Sequence, residues 1–71
     1  MSPWIALILY ATTGLLSANI QVLTQLPMQS REACLRFQQT GVKTMSHQFG
    51  IICVSTETGE IISKIGVNEQ Q

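Results

Sequence analysis

The sequence contains no aspartate, and no charged side chain precedes Arg31. Charged residues make up 11% of the 71-residue chain, whereas they are roughly 25% of an average soluble domain. The formal net charge is zero, so there is no excess of Lys and Arg to attract the phosphates of nucleic acid. These deficits argue against nucleic-acid binding and predict an unusually neutral surface.

Patterns that support catalysis or cofactor binding are also missing. The glutamates Glu32, Glu57, Glu60 and Glu69 fall in a predicted helix cap, a turn, a strand start and a tail, so no two are expected to form an acid and base pair. The five glycines match neither GxGxxG nor GxxxxGK. We therefore expect a protein that is not an enzyme and that binds no cofactor.

The two cysteines, Cys34 and Cys53, have no CxxC spacing, and together with His47 they provide fewer than the four ligands of a structural zinc site. No metal site is expected, and pairing either cysteine with His47 as nucleophile and base has no specific support. A helix packed on a sheet would bring the cysteines within bonding range. A disulfide and two buried free thiols both remain open.

The segment Pro3–Leu23 contains no charged residue and allows three interpretations. As a secretion signal it lacks a basic start, and cleavage after Ala18 would leave the large Leu16 at the third position before the cut. As a membrane helix it is long enough, but six small or polar residues interrupt it: Thr12, Thr13, Gly14, Ser17, Asn19 and Gln21.

The third interpretation, which we prefer, is a β-hairpin with a first strand Trp4–Ala11 and a turn at Thr12, Thr13 and Gly14. Alternation predicts that the second arm is a half-buried strand that ends at Pro27. One side of that arm is expected to carry Ile20, Val22, Thr24 and Leu26, and the other side Asn19, Gln21, Leu23 and Gln25.

A short helix is predicted from Arg31 to Thr40, because Ser30 is a good N-cap and Gly41 is a plausible stop. Its expected buried stripe is Ala33, Cys34 and Phe37 with Leu35 beside it, and its expected wet side is Arg31, Glu32, Arg36, Gln38 and Gln39.

The rest of the chain predicts a loop at 42–48, a strand in FGIICVST, a turn at 57–59 and a last strand near 60–67. Residues 68–71 are expected to be a polar tail. The whole is a single small domain, residues 1–71, with an α+β fold: ββαββ, an antiparallel or mixed sheet with one helix on one face.

One helix covers one sheet face, yet the predicted strands have apolar residues at odd and even positions alike. A second copy of the chain is the simplest cover for the other face, with a membrane surface as the alternative. We therefore predict a homo-oligomer. Its candidate interface residues are Trp4, Ile8, Tyr10, Ile52 and Val54.

The layout of an apolar first strand, a second strand, a helix containing EAC and a later strand with Cys53 resembles short proteins encoded by phages and enterobacterial prophages. The chain departs from them by lacking acidic residues in its second strand and by continuing through TGEIISKIGV. The resemblance implies a phage accessory protein and supplies no functional residues.

These observations favour a self-associating, non-enzymatic binding protein that blocks or sequesters a host protein or a small molecule, in the cytoplasm of the host cell. Two alternatives stay open. One is a membrane-localised peptide with a single span at 3–23 and a short soluble tail, and the other is a structural subunit of a viral particle.

Overall fold

The computed structural model describes residues 3–13 and 18–68. Four strands and one helix follow one another along the chain: β1 (Trp4–Thr13), β2 (Ala18–Met28), α1 (Arg31–Val42), β3 (Phe49–Ser55) and β4 (Ile61–Ile65). The predicted ββαββ order and the α+β class are confirmed, with the helix packed on the sheet.

The strands form one antiparallel sheet in the order β2-β1-β3-β4. Trp4 lies opposite Met28 on one side and Ser55 on the other, so the first strand of the chain is central and β2 and β4 are the edges. The turn that we predicted at Thr12 and Thr13 is wrong for these two residues, because both belong to β1. Gly14 lies outside the described residues.

The even alternation predicted for β2 is also wrong. The register between β1 and β2 shifts between Ile8 and Leu9, which leaves Leu23 as an extra residue in β2. Such a β-bulge changes which side of the sheet the next side chains take. Ile20 and Val22 therefore lie on the side away from the helix, whereas Leu26 packs against the core under the helix.

Pro27 does not end the second strand as predicted. It lies inside β2, opposite Ile5. Proline lacks a backbone N–H and is tolerated in a strand only where no ladder bond is needed from it. An edge strand meets that condition, because its outer backbone groups have no neighbouring strand.

Helix α1 begins as predicted and ends two residues later than predicted. The Ser30 hydroxyl accepts a hydrogen bond from the Ala33 amide at 3.1 Å, which is an N-cap. The helix continues through Gly41 to Val42, which is buried in the core. Gly41 faces Ile51, and a Cβ at Gly41 would approach the Ile51 Cδ1 to 2.6 Å. Gly41 thus provides close packing rather than a helix stop.

The core lies between α1 and the middle of the sheet. Its buried apolar residues are Trp4, Ala6, Cys34, Val42, Ile51 and Cys53. Cys34 of α1 and Cys53 of β3 form a disulfide with a Cα–Cα distance of 6.0 Å. Gln38, which we placed on the wet side of the helix, is instead fully buried, because its amide contacts the sheet directly.

The turn between β3 and β4 is built by Ser55. Its hydroxyl accepts hydrogen bonds from the amides of Glu57 and Thr58, at 3.2 and 3.1 Å. Gly59 has a φ of 79°, a left-handed conformation that glycine adopts without strain. The predicted turn at 57–59 is confirmed.

The last strand is shorter than predicted, since β4 covers Ile61–Ile65 and not 60–67. After it the chain packs against the end of the helix and the loop that follows. The amide of Val67 donates to the Val42 carbonyl and the amide of Asn68 donates to the Met45 carbonyl. Within the described ranges, no helix has the length and apolar composition needed to cross a membrane.

Candidate functional site

The two faces of the sheet differ in what covers them. Residues that lie opposite each other in an antiparallel pair point to the same face. Ala6, Cys53 and Ile62 are one such row, and Ala6 and Cys53 are fully buried under α1. The neighbouring row, Leu7 and Ile52, therefore points to the side that has no helix.

We call this uncovered side the open face. Most of its side chains are apolar, although Gln25 and Ser63 flank Leu7 and Ile52 there. Nine large apolar side chains lie in four rows across the sheet: Ile5, Val54 and Ile61; Leu7 and Ile52; Leu9, Val22 and Ile65; and Ile20, which is opposite Ala11. Those on the central strands are half-buried by their neighbours, whereas Ile20, Ile61 and Ile65 on the edges are 69%, 66% and 66% exposed.

The open face also lacks charge. Four of the charged residues belong to α1 or its C-cap, and Glu57 lies in the turn after β3. Lys64 is opposite Ile51 and hence on the helix side. Glu60 accepts from Arg31 of the helix at 3.1 Å. Among residues 3–13 and 18–68, no charged side chain lies on the open face.

The accessible surface of the chain is large for its mass. It is 5141 Å², whereas a compact chain of 7.8 kDa is expected to expose about 4,400 Å². Ile20, Ile61 and Ile65 of the open face contribute to this surface, since each is more than half exposed.

The structure divides the five candidate interface residues between the two sides. Ile52 and Val54 lie on the open face. Trp4 is buried in the core, and Ile8 packs against the core from the helix side. Tyr10 lies opposite Phe49 on the same side as Ile8, with ring centroids 4.9 Å apart.

The cysteines have a structural role. Cys34 and Cys53 are fully buried and bonded to each other, and neither carries a free thiol. His47 lies in the loop before β3. Because both cysteines are bonded to each other, there is no cysteine thiol for it to activate. In the part of the chain that the structure describes, no group of three or more His, Cys, Asp and Glu residues is placed to hold a metal ion.

Sequence reasoning missed part of the open face. The apolar run Ile5–Leu9 indicated that both faces of β1 are apolar, but it did not show which residues share the uncovered side. That choice depends on the pairing with β3 and on the bulge at Leu23. A bulge of this kind has no clear signal in a single sequence.

Comparison of the chain with protein-family models, with curated proteins and with solved structures gives no match. The function is therefore argued from the geometry of the open face.

Proposed function

We propose that this chain is a small, non-enzymatic binding domain that self-associates through its open face. The observation that carries the proposal is the combination of nine large apolar side chains with the absence of any charged side chain on that face among the described residues. Apolar surface of this extent is unfavourable in water, and burying it is the main driving force for association.

A second copy of the chain is the partner that best fits the open face. Two antiparallel sheets pack face to face about 10 Å apart when both inner faces are apolar. A two-fold arrangement brings the same face of each copy together and needs no other partner.

A ligand held between the two copies extends the proposal. A host protein or a small molecule bound there would be blocked or sequestered, which is the accessory role that the resemblance to phage and prophage proteins implies. Because the described residues of the open face include no charged side chain, such a ligand would have to present a neutral, apolar surface.

The test is the mass in solution, measured by light scattering coupled to size exclusion over a range of concentrations without detergent. Val22 and Leu23 are a matched pair: they are neighbours in β2, each is 52% exposed, and the bulge places them on opposite sides of the sheet. We expect Val22→Lys to weaken self-association by at least about tenfold, because it buries an unpaired charge. Leu23→Lys should leave the mass unchanged.

A wild-type chain that stays monomeric at high concentration would contradict the proposal, and so would equal effects of the two lysine variants. Co-sedimentation with neutral lipid vesicles tests the alternative that a membrane surface covers the open face. If the wild-type chain binds vesicles and Val22→Lys abolishes that binding while no dimer forms, the open face is a membrane surface and self-association is wrong.

A further inference from the structure

A second surface lies on the helix side of the sheet, along the edge formed by β4. The groove between the end of α1 and β4 has a volume of about 660 Å³. Its lining comes from Gln39, Val42 and Lys43 of the helix end, from Ser63, Lys64 and Ile65 of β4, and from Val67 after it. The groove borders the open face at the edge of the sheet: Lys64 points to the helix side, whereas Ser63 and Ile65 lie on the side of the open face.

One wall of the groove is a strand with free backbone groups. The Ser55 amide donates to the Glu60 carbonyl, and the Gly66 amide donates to the Phe49 carbonyl. In this register the even-numbered residues 60 to 66 direct their backbone groups toward β3. The amides and carbonyls of Ile61, Ser63 and Ile65 therefore point outward from the edge of the sheet, where no other described strand pairs with them.

The charge of the groove is positive. Lys43 and Lys64 are two of the four cationic side chains of the protein, and both line this groove. Arg31, in contrast, is paired with Glu60 at the far end of α1. Among the described residues, no acidic group forms an ion pair with Lys43 or Lys64.

From these three features we infer that the groove binds an extended peptide with acidic side chains, which adds to β4 as a fifth strand. The backbone of the peptide pairs with Ile61, Ser63 and Ile65, about 4.8 Å from β4. Every second side chain of the peptide then points into the groove. Carboxylates at those positions meet Lys64 and Lys43, while the hydrocarbon stems of the acidic residues cover Val42 and Val67.

The inference can be tested apart from self-association, because Val22 belongs to β2, at the opposite edge of the sheet from β4, and does not line the groove. A chain made monomeric by Val22→Lys should bind the peptide as well as the wild type does. Conversely, a wild-type chain that proves monomeric but binds the peptide would refute self-association and leave this inference intact.

The test uses a capped seven-residue peptide, TVEVEVT, titrated into the ¹⁵N-labelled full chain and followed by NMR. We expect shifts confined to β4 and the end of α1, together with slower hydrogen exchange at the amides of Ile61, Ser63 and Ile65. A peptide with N-methyl groups on its pairing amides should not bind. The double variant Lys43→Glu, Lys64→Glu should bind TVEVEVT at least about tenfold more weakly and should bind TVKVKVT in its place.

Several results would overturn the inference. These are no binding by the wild type, shifts centred on β2 or β1, equal binding of the N-methylated peptide, and equal binding of TVKVKVT to the wild type. Decanoate that produces the same shifts with the same affinity as TVEVEVT would identify a site for apolar anions instead. Thermal unfolding of the double variant, followed by circular dichroism, checks that it remains folded.

Discussion

Gln38 shows how one polar side chain fixes the helix on the sheet. Its Nε2 donates to the carbonyls of Ile51 at 2.7 Å and of Ile62 at 2.9 Å, and so joins α1 to both β3 and β4. Its Oε1 is the one buried side-chain oxygen or nitrogen, within the residues described, that lacks a hydrogen-bond partner. The site therefore requires a hydrogen-bond donor from the helix and provides no hydrogen-bond donor of its own to a side-chain oxygen.

Gln38→Glu is expected to make stability depend on pH. Burial beside two carbonyls would raise the pKa of the new carboxyl above its usual ~4.3. Below pH ~4.3 the carboxyl is protonated in both the folded and the unfolded state. Above that pH the unfolded state ionises first, while the folded state keeps its proton up to its raised pKa, so the free energy of unfolding falls as pH rises. Urea unfolding at pH 4 and pH 7 should show a loss relative to wild type that grows by at least about 1 kcal/mol.

Gln38→Met is the matched control, because it keeps the volume and removes both donors without adding an ionisable group. Its cost should be about 1 to 2 kcal/mol and should be the same at both pH values. A Gln38→Glu variant whose loss is independent of pH would show that the carboxyl is not held in the buried position.

At Gly41, helix propensity and core packing have opposite effects on stability. Alanine is favoured over glycine within a helix by about 1 kcal/mol, but a Cβ here would lie 2.6 Å from the Ile51 Cδ1. Ile51 is fully buried, and overpacking a core costs about 1 to 3 kcal/mol. We expect Gly41→Ala to destabilise the protein by about 1 kcal/mol in urea unfolding. Thr40→Ala, at the exposed neighbouring position, should be neutral or stabilising, and a stabilising Gly41→Ala would show that Ile51 has room to move.

At the scale of elements, the disulfide connects the only helix among the described residues to a central strand. The two cysteines are 19 residues apart in sequence, and closing a loop of that length stabilises a fold by about 3 kcal/mol. Replacing both by alanine should lower the free energy of unfolding by about that amount, measured in urea without reductant.

Cysteine alkylation in the wild type should be detectable only when reductant and denaturing urea are present together, since both sulfurs are fully buried. Rapid alkylation under native conditions would contradict this.

The elements were largely predictable because their local signals are strong. Ser30 as N-cap, the turn around Gly59 and the apolar run Phe49–Ser55 each define a boundary from neighbouring residues alone. The errors have a different origin. Pro27 is tolerated because β2 is an edge, and Gln38 is buried because the carbonyls of β3 and β4 lie opposite it, so both depend on strand order.

The open face illustrates the same limit at the level of the whole molecule. The sequence indicated that one sheet face lacks a cover, since a single helix was expected. It did not identify the residues on that face, because the bulge at Leu23 reverses the side that β2 presents. The groove beside β4 was not predicted at all, because Lys43 and Lys64 are distant in sequence and are joined only by the packing of α1 next to β4.

The two proposed surfaces should differ in how binding at each depends on sodium chloride. No charged side chain lies on the open face within the described part of the chain, so raising sodium chloride should leave self-association unchanged. Sodium sulfate should strengthen it by favouring burial of apolar surface. Peptide binding in the groove depends on exposed lysines and should weaken as sodium chloride screens them. Parallel titrations by light scattering and by NMR measure both responses. Self-association that weakens steadily with sodium chloride would point to an interface on the charged side of the molecule.

The central position of β1 affects how the chain is made. Strand β1 is synthesised before β2, α1 and β3, yet it pairs with β3, since Trp4 lies opposite Ser55. At 5 to 20 residues per second, the completed β1–β2 hairpin must wait roughly one to five seconds before β3 exists. During that interval both apolar faces of the hairpin and one edge of β1 are exposed, which makes the nascent chain a substrate for chaperones that hold extended apolar segments.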